Sequence, residues 1–435
     1  MKYTILTFGC RVNQADSLAV EEQLVASGAV SAPAEQADVV VVNTCAVTAS
    51  AEQSARQAMR RVARLNPAAR ILVTGCYATR RPGDLAEFPG VICVTPNQDK
   101  DELLATLLTT AERFGAGDGA CGSAIAPGLA GRTAYTLRVQ TGCDEPCAYC
   151  IIPSTRGRGR SRSLDAVRSD VARVLGAGFR EIVLTGVHLG SYGRDFADGT
   201  TLATLLRQLD SWSGDVRYRI SSLEPMDCTR DIVDLVADSS RFAPHFHLPL
   251  QHASDRMLRS MRRPYGLASY RVLVDGIRRR MPHAAIGADV IVGFPGETDA
   301  DLETLLGYLE SSPLTHLHVF PYSDRPGTAA TALRGKVDGV TVRERARRVR
   351  AVGAGLADRF RRSQVSTVRR GLVIDDGSRA VTDNYLKVSF SPPARRNQWV
   401  DVKVTAVGDP MRGEIVGLTN VPPTAAPATA SALRR

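Results

Sequence analysis

Cys143, Cys147 and Cys150 stand in a Cys-x3-Cys-x2-Cys spacing, with Tyr149 just before the last. So short a loop can bring three thiolates onto one small centre. Structural zinc takes four ligands, usually from paired Cys-x2-Cys or His motifs, and no such pair stands near this loop. Three thiolates can instead hold three irons of a 4Fe–4S cluster and leave the fourth iron open to another molecule. A second set is scattered: Cys10 follows Gly9, Cys45 follows Asn43-Thr44, and Cys76 follows Gly75. One cysteine after a strand reads as a buried structural thiol. Three at equivalent places point to a shared iron–sulfur centre with an open position. Cys93, Cys121 and Cys228 stand in unrelated contexts and read as structural thiols.

Positioning these groups requires a sheet. Tyr3–Phe8, Val39–Val42 and Ile71–Thr74 are short β-branched runs of the kind buried on both faces of a parallel sheet. Helical patterns lie between them, one from a cap at Asp16-Ser17 to Gly28, another from about Thr48 to Leu65. Right-handed crossovers would gather Cys10, Cys45 and Cys76 at the carboxyl edge of the sheet, where open α/β sheets bind ligands. Residues 116–131 are Gly/Ala-rich and read as a linker. Strand Tyr135–Gln140 then leads into the cysteine loop. Five more strand–helix units follow, with strands at 181–185, 218–222, 246–250, 289–293 and 316–320. Six such units make an open version of the parallel barrel, whose chemistry sits at the strand carboxyl ends. Those ends carry Gly186, His188, Ser222, Glu224, Gln251, His252 and Tyr322. His245, His247, His316 and His318 alternate within strands and read as packed or solvent-facing. After Gly371, short strands around 372–374, 386–390, 400–407 and 415–418 suggest a small β-barrel.

A chain of 435 residues is too long for one ordinary domain. It has neither a signal-peptide pattern nor a run of about 20 apolar residues, so the reading is a cytoplasmic protein with reduced thiols and no membrane partner. Lys plus Arg number 55 against 45 Asp plus Glu, a net +10 that supports a polyanionic partner without deciding for one. Arg156, Arg158, Arg160 and Arg162 form a basic run just after Cys150. Residues 343–370 are dense in arginine, for which a solvated helix face is an equally good explanation. Near the carboxyl end, Tyr385, Phe390 and Trp399 are candidate stacking surfaces, some of which must instead fill the core, and Lys387, Arg395, Arg396 and Lys403 offer phosphate contacts.

Together these segments resemble the radical S-adenosylmethionine (SAM) methylthiotransferases. The resemblance rests on the lone cysteines after strands and on Gly142-Cys143-x3-Cys147-x2-Cys150-Ile151-Ile152-Pro153 with Arg156-Gly157. Ser221–Pro225, His247–Gln251 and Val292–Thr298 carry it further. Gly9–Gln14, Leu184–His188, Leu317–Ser323 and Thr382–Tyr385 look most like the branch acting on threonylcarbamoyladenosine beside the tRNA anticodon. One departure stands out: Gln251-His252-Ala253 replaces an expected Gln-Ser-Gly.

The resemblance implies an α/β enzyme in several parts. Residues 1–115 would form the amino-terminal parallel-sheet domain, with Cys10, Cys45 and Cys76 on an auxiliary 4Fe–4S cluster. Residues 116–132 would be the linker. Residues 133–365 would form the radical SAM partial β/α barrel, with Cys143, Cys147 and Cys150 on the SAM-cleaving cluster and Gly186, Ser222, Glu224 and Gln251 on SAM. Residues 366–421 would form a TRAM-like RNA-binding β-barrel with Tyr385 and Lys387, before a disordered tail at 422–435. Implied partners are the tRNA anticodon stem-loop, contacted also by Arg156, Arg158, Arg160 and Arg162, and a flavodoxin or ferredoxin as electron donor; a monomer is expected. The rival readings are methylthiolation of a ribosomal-protein aspartate, a non-catalytic iron–sulfur or RNA-binding protein, and a different auxiliary-cluster reaction.

Overall fold

The computed structural model describes residues 1–104, 125–128 and 131–418. Cys121, much of the expected linker and the expected disordered tail lie outside the described residues. The chain divides into two compact units, Met1–Phe360 and a second beginning at Arg361. No helix among the described residues is long and apolar enough to cross a membrane.

The first unit opens with a parallel sheet of β1 (Lys2–Thr7), β2 (Val30–Ser31), β3 (Val39–Thr44), β4 (Arg70–Gly75) and β5 (Val91–Thr95), in the order β2-β1-β3-β4-β5. Every residue of β3 is buried, because helices cover both faces; a continuous valine run suits that environment better than alternation does. Helix α1 spans Arg11–Ala26 and α2 spans Ala49–Leu65. Thr48 caps α2, its hydroxyl accepting the Ala51 N–H at 3.2 Å. Helix α1 starts at Arg11, five residues before the expected cap. Cys10, in extended conformation, ends the turn instead, and Asp16 lies inside the helix as a buried ion-pair centre.

The barrel follows with β6 (Tyr135–Arg138), the antiparallel pair β7 (Gln140–Thr141) and β8 (Arg160–Ser161), then β9 (Glu181–Thr185), β10 (Arg217–Ile220), β11 (His245–His247), β12 (Ala285–Val292) and β13 (His316–Pro321). Strands β10-β9-β6 form one parallel sheet and β11-β12-β13 another. Isolated parallel bridges Tyr218–Phe242 and Ser222–His247 connect them, giving six parallel strands around a lumen. One hydrophobic core runs under this whole arc, from Val139 and Leu184 through Tyr218 and Leu248 to Leu305 and Val349.

The second unit is a closed barrel of β14 (Val368–Ile374), β15 (Arg379–Thr382), β16 (Lys387–Ser389), β17 (Trp399–Ala406) and β18 (Met411–Leu418). Strand β15, four residues long, carried no sequence signal of its own. Trp399 and Phe390 are core residues, 1% and 7% exposed, so neither is a stacking surface. A barrel this small needs large side chains to fill it. Tyr385 and Lys387 are exposed. Beneath Tyr385, the buried Asn384 donates to Gln364 at 2.9 Å and accepts from Thr382 at 2.7 Å, which holds the turn presenting it.

Candidate functional site

Gly142 opens the contiguous cysteine loop in a left-handed conformation, φ 73°, where a Cβ would lie 1.8 Å from the Arg158 carbonyl oxygen. Only glycine fits there. The Cys143 N–H donates to Gly157 and the Cys150 N–H to Cys147, each at 3.1 Å. Ala148 is held on both sides, donating to Met261 at 3.0 Å and accepting from Ala330 at 2.7 Å. The sulfurs have donors too. The Glu145 N–H reaches Cys143 Sγ at 3.4 Å, and His188 Nδ1 lies 3.7 Å from it. The Arg263 guanidinium donates to Cys147 Sγ at 2.9 Å and pairs with Glu224. Burial pushes the Cys150 thiol up to about 12 and raises Cys147 as well. Three thiols met by N–H and guanidinium donors suit a metal centre, which displaces their protons on binding.

The scattered set converges by sheet register. Thr7 pairs with Asn43, Asn43 with Thr74, and Thr44 with Gly75, so Cys10, Cys45 and Cys76 leave the same edge of adjacent strands. Gly9, at φ 97°, brings the first loop so close that a Cβ would lie 2.7 Å from Cys45 Sγ. The Val47 N–H and Asn97 Nδ2 donate to Cys45 Sγ and Cys76 Sγ, each at 3.5 Å. Cys45 and Cys76 are buried and Cys10 is exposed. Burial, with the neighbouring Cys76 and Cys10, pushes the Cys45 thiol up to about 12. This donor set fits a three-thiolate iron–sulfur cluster.

One buried network joins the two sets. Asn13 Nδ2 donates to the carbonyls of Phe8 (2.7 Å) and Thr44 (2.9 Å), which precede Cys10 and Cys45. Its oxygen accepts from Arg156 at 2.5 Å, and Arg156 donates also to Asp16 at 2.9 Å. Arg156 ends the helix Ile152–Arg156, just beyond Cys150. Lys100 reaches Asp16 at 2.6 Å, and Arg138 pairs with it as well. Burial alone would raise the Asp16 carboxyl; Lys100, Arg156 and Arg138 outweigh it and hold the group well below the usual carboxylate range. The expected RNA contact by Arg156 is therefore corrected. Its side chain is 2% exposed and committed to Asp16 and Asn13.

A cavity of about 190 Å³ lies between the sets. Val47 and Thr48, just past Cys45, form one wall, and Tyr149, Cys150 and Ile151 another. Gln251, Asp289, Ile291, Phe320 and Tyr322 close it from the strand ends. Gln251 holds a left-handed conformation, φ 63°, a strain of the kind that collects at working sites. Its neighbour His252, the departure from the family pattern, is fully buried and turned to Glu297, 3.8 Å away. Its Nδ1 accepts the Ser254 N–H at 2.9 Å, and burial pushes its pKa down to about 4. Ala253 is in the core. Among the four residues expected on SAM, Glu224 is brought to the cysteine loop through Arg263, and Gln251 to the cavity wall. Exposed Ser222 follows β10, and Gly186 follows β9 beside Gln140, whose oxygen accepts the His188 N–H at 2.9 Å.

Of the strand histidines, His245 is buried and stacks on His316, while His318 is exposed, in keeping with packed and solvent-facing positions. His247 Nε2 and His318 Nδ1 both meet Asp289 Oδ1, at 2.9 and 3.2 Å. These three groups are also close enough together to hold a cation. Arg263 and Asn97 carry no mark in the sequence, Asp16 reads only as a helix cap, and Asn13 stands only within the segment Gly9–Gln14. No local spacing signals them, since Arg263 is 116 residues from the cysteine it contacts. Cys228 is buried and Cys93 half-buried beside Thr95, consistent with structural thiols.

Among the basic candidates, Arg158 and Arg160 are exposed and line a cleft of about 520 Å³ with Lys100 and Arg138. Arg162 pairs with Asp170. The arginines of the long helix Gly339–Ser363 are mostly engaged: Arg345 with Glu297 and Asp299, Arg347 with Glu344, and Arg348 with Glu303. Arg359 donates to the carbonyls of Glu310 and Ser312. That face is a paired surface.

Residues 2–95 match the family described as Uncharacterized protein family UPF0004, and residues 137–309 match the Radical SAM superfamily. A Bacillus subtilis protein named threonylcarbamoyladenosine tRNA methylthiotransferase MtaB is 34% identical, covering 93% of this chain and 94% of its own. Its Aquifex aeolicus namesake is 35% identical over 89% and 96%. A Nitratidesulfovibrio vulgaris protein named tRNA-2-methylthio-N(6)-dimethylallyladenosine synthase is 33% identical over 82% of each. The fold is similar to that of the radical SAM methyltransferase TsrM from Kitasatospora setae, with TM-score 0.52 at 14% identity over 76% and 77% of the two chains.

Proposed function

This chain belongs to the radical SAM methylthiotransferase family, and from that premise we propose that it converts N6-threonylcarbamoyladenosine beside the tRNA anticodon to its 2-methylthio derivative. Family membership implies a 4Fe–4S cluster and SAM, and places the reaction among tRNA methylthiolations. The finer reading has two clusters and two SAM molecules, one as methyl donor and one as radical source. The observation that carries it is the cavity with Cys150 on one wall and the segment after Cys45 on the other. A base held there is within reach of both cysteine sets.

When bound, these groups supply a 5′-deoxyadenosyl radical and a methylated sulfur, which together can functionalise an adenine C–H that acid–base chemistry leaves untouched. The chain's own residues position and exclude. Cys143, Cys147 and Cys150 would hold one cluster and Cys10, Cys45 and Cys76 the other. The Glu145 and Val47 N–H groups, Asn97 and Arg263 donate to the sulfurs, as they would to the thiolates of a bound cluster. Glu224, oriented by Arg263, and Gln251 would present polar groups to SAM at the strand ends. Tyr149, Ile151, Ile291 and Phe320 supply apolar walls that keep water from a reactive radical. The Asn13–Arg156–Asp16 network sets the two cysteine sets against each other, and small displacements there would cost rate steeply.

For the RNA, Arg158, Arg160 and Arg162 would meet backbone phosphates, and Tyr385 and Lys387 of the second unit would add a stacking face and a charge. The target base must leave its stack to enter the cavity. A flavodoxin or ferredoxin is the proposed electron donor. The branch assignment is supported by relatives of that name and by the branch-like segments Gly9–Gln14 and Leu317–Ser323. The test is nucleoside mass spectrometry of tRNA with and without this gene. Loss of the 2-methylthio-threonylcarbamoyl nucleoside with accumulation of its unthiolated precursor is expected. Loss of the isopentenyl product instead would overturn the branch, and unchanged tRNA would overturn the substrate class.

A further inference from the structure

Helix Asp255–Ser260 ends in a turn that serves the cysteine loop. The Arg263 N–H donates to Leu258 at 2.9 Å and the Arg262 N–H to Arg259 at 3.0 Å, the paired bonds of a Schellman ending. Arg262 takes the left-handed position, φ 58°, that glycine ordinarily fills there. The Met261 carbonyl of the same turn accepts the Ala148 N–H at 3.0 Å, which ties the turn to the loop between Cys147 and Cys150. Arg263 follows directly, its side chain 2% exposed. Every nitrogen of its guanidinium has a partner. Nη1 donates to Cys147 Sγ at 2.9 Å, Nη2 pairs with Glu224, and Nε donates to the Tyr265 hydroxyl at 3.2 Å. Tyr265 is held in turn, its hydroxyl donating to the Pro249 carbonyl at 2.7 Å. Three anchors on one side chain fix a buried positive charge against the sulfur. The donors to Cys45 and Cys76, a backbone N–H and the Asn97 amide, carry no charge.

We propose that Arg263 is a positioning residue that makes the cluster on Cys143, Cys147 and Cys150 easier to reduce. This inference rests on the reading that these cysteines hold the SAM-cleaving cluster. The one electron that a flavodoxin or ferredoxin would supply makes the cluster and its thiolates more negative by one charge. A cation hydrogen-bonded to one of those sulfurs, away from water, stabilises the reduced form more than the oxidised form. Hydrogen bonds to the sulfurs and local charge are among the factors that set the potential of such clusters. Glu224 acts in the opposite sense, since it supplies a countercharge on the same guanidinium. The pair thus links the residue proposed to meet SAM with a sulfur of the cluster proposed to cleave it.

The test is an EPR-monitored redox titration of the reconstituted holoenzyme, with iron content measured on every variant. The SAM-cleaving cluster is recognised by the change in its EPR signal when SAM is added. Arg263→Gln should disfavour its reduction by about tenfold, a shift of about 59 mV toward lower potential for one electron, and Arg263→Lys by less. Glu224→Gln should move the potential the other way, to a value above wild type. The second cluster should keep its potential in all three variants. A merely loosened loop would not give shifts of opposite sign from two residues in contact. If Arg263→Gln fails to hold iron, the sign of the Glu224→Gln shift decides. An unchanged potential in Arg263→Gln, equal shifts at both clusters, or a Glu224→Gln potential at or below wild type overturns the role of Arg263. A wild-type protein that holds iron but gives no EPR signal responsive to SAM overturns the cluster reading itself.

Discussion

Cys143, Cys147 and Cys150 come from one short loop, whereas Cys10, Cys45 and Cys76 are delivered by three neighbouring strands of a parallel sheet. Closing the loop costs little chain entropy, and backbone bonds at Cys143, Ala148 and Cys150 hold its shape. The scattered set has no such local scaffold. Its geometry is a property of sheet register, so a slip of one residue would turn its cysteines to other faces. Sites of one chemistry can therefore differ in what they depend on, one on a spacing and the other on a fold.

The largest test removes each set in turn. Replacing Cys143, Cys147 and Cys150 by Ala should abolish SAM cleavage, read as 5′-deoxyadenosine by liquid chromatography. Replacing Cys10, Cys45 and Cys76 should leave cleavage and abolish the methylthio product, with bound iron falling by about half in either case. Should both triple variants lose cleavage, the two sites are not separable and the comparison breaks.

Next in size, Gly9→Ala forces a side chain into a left-handed position 2.7 Å from Cys45 Sγ. It should cost about 1–3 kcal/mol and deplete iron from the scattered set alone. Gly142→Ala, against the Arg158 carbonyl, should deplete the contiguous set instead. Iron analysis and EPR of each variant read this directly.

The third contrast lies within one basic run. Arg156→Met removes a buried partner of Asp16 and should destabilise the protein by about 3 kcal/mol in chemical denaturation. Arg158→Ala, at an exposed side chain, should leave stability unchanged. It should instead weaken tRNA binding and flatten its log–log salt dependence by about one. Equal effects of the two on RNA affinity would return Arg156 to the surface role first expected of it.

The last effect appears only in acid and is absent at neutral pH. Burial keeps His252 neutral in the folded chain, with its pKa lowered to about 4. Because the unfolded chain binds that proton more readily, stability is complete above the ordinary histidine range. It then declines as pH falls from about 6.5 toward 4, by about 3 kcal/mol in all. His252→Ser should flatten the decline in melting temperature across this window and change little at neutral pH. A parallel decline in both proteins would assign the acid sensitivity elsewhere.

Where a signal was local, the sequence was a good guide. The β-branched runs marked β1, β3 and β4, Thr48 marked the start of α2, and the two cysteine patterns marked the two sets that the fold gathers. The misses share a cause. Asp16 looked like a helix cap because its role is set by Lys100 and Arg156, which are far away in the chain. Trp399 and Phe390 looked like stacking surfaces because composition cannot distinguish the inside of a small barrel from its outside.

The sequence by itself determined which atoms could bind iron, the α/β plan that carries them and the family to which the chain belongs, since spacing and periodicity are written along the chain. Only the tertiary structure decided that Arg156 faces inward, that Arg263 reaches Cys147, that His252 avoids the cavity and that Asp289 collects two histidines. Each of these depends on which distant groups are packed into the same small volume, where a charge or hydrogen bond must find its partner inside the protein because water is excluded.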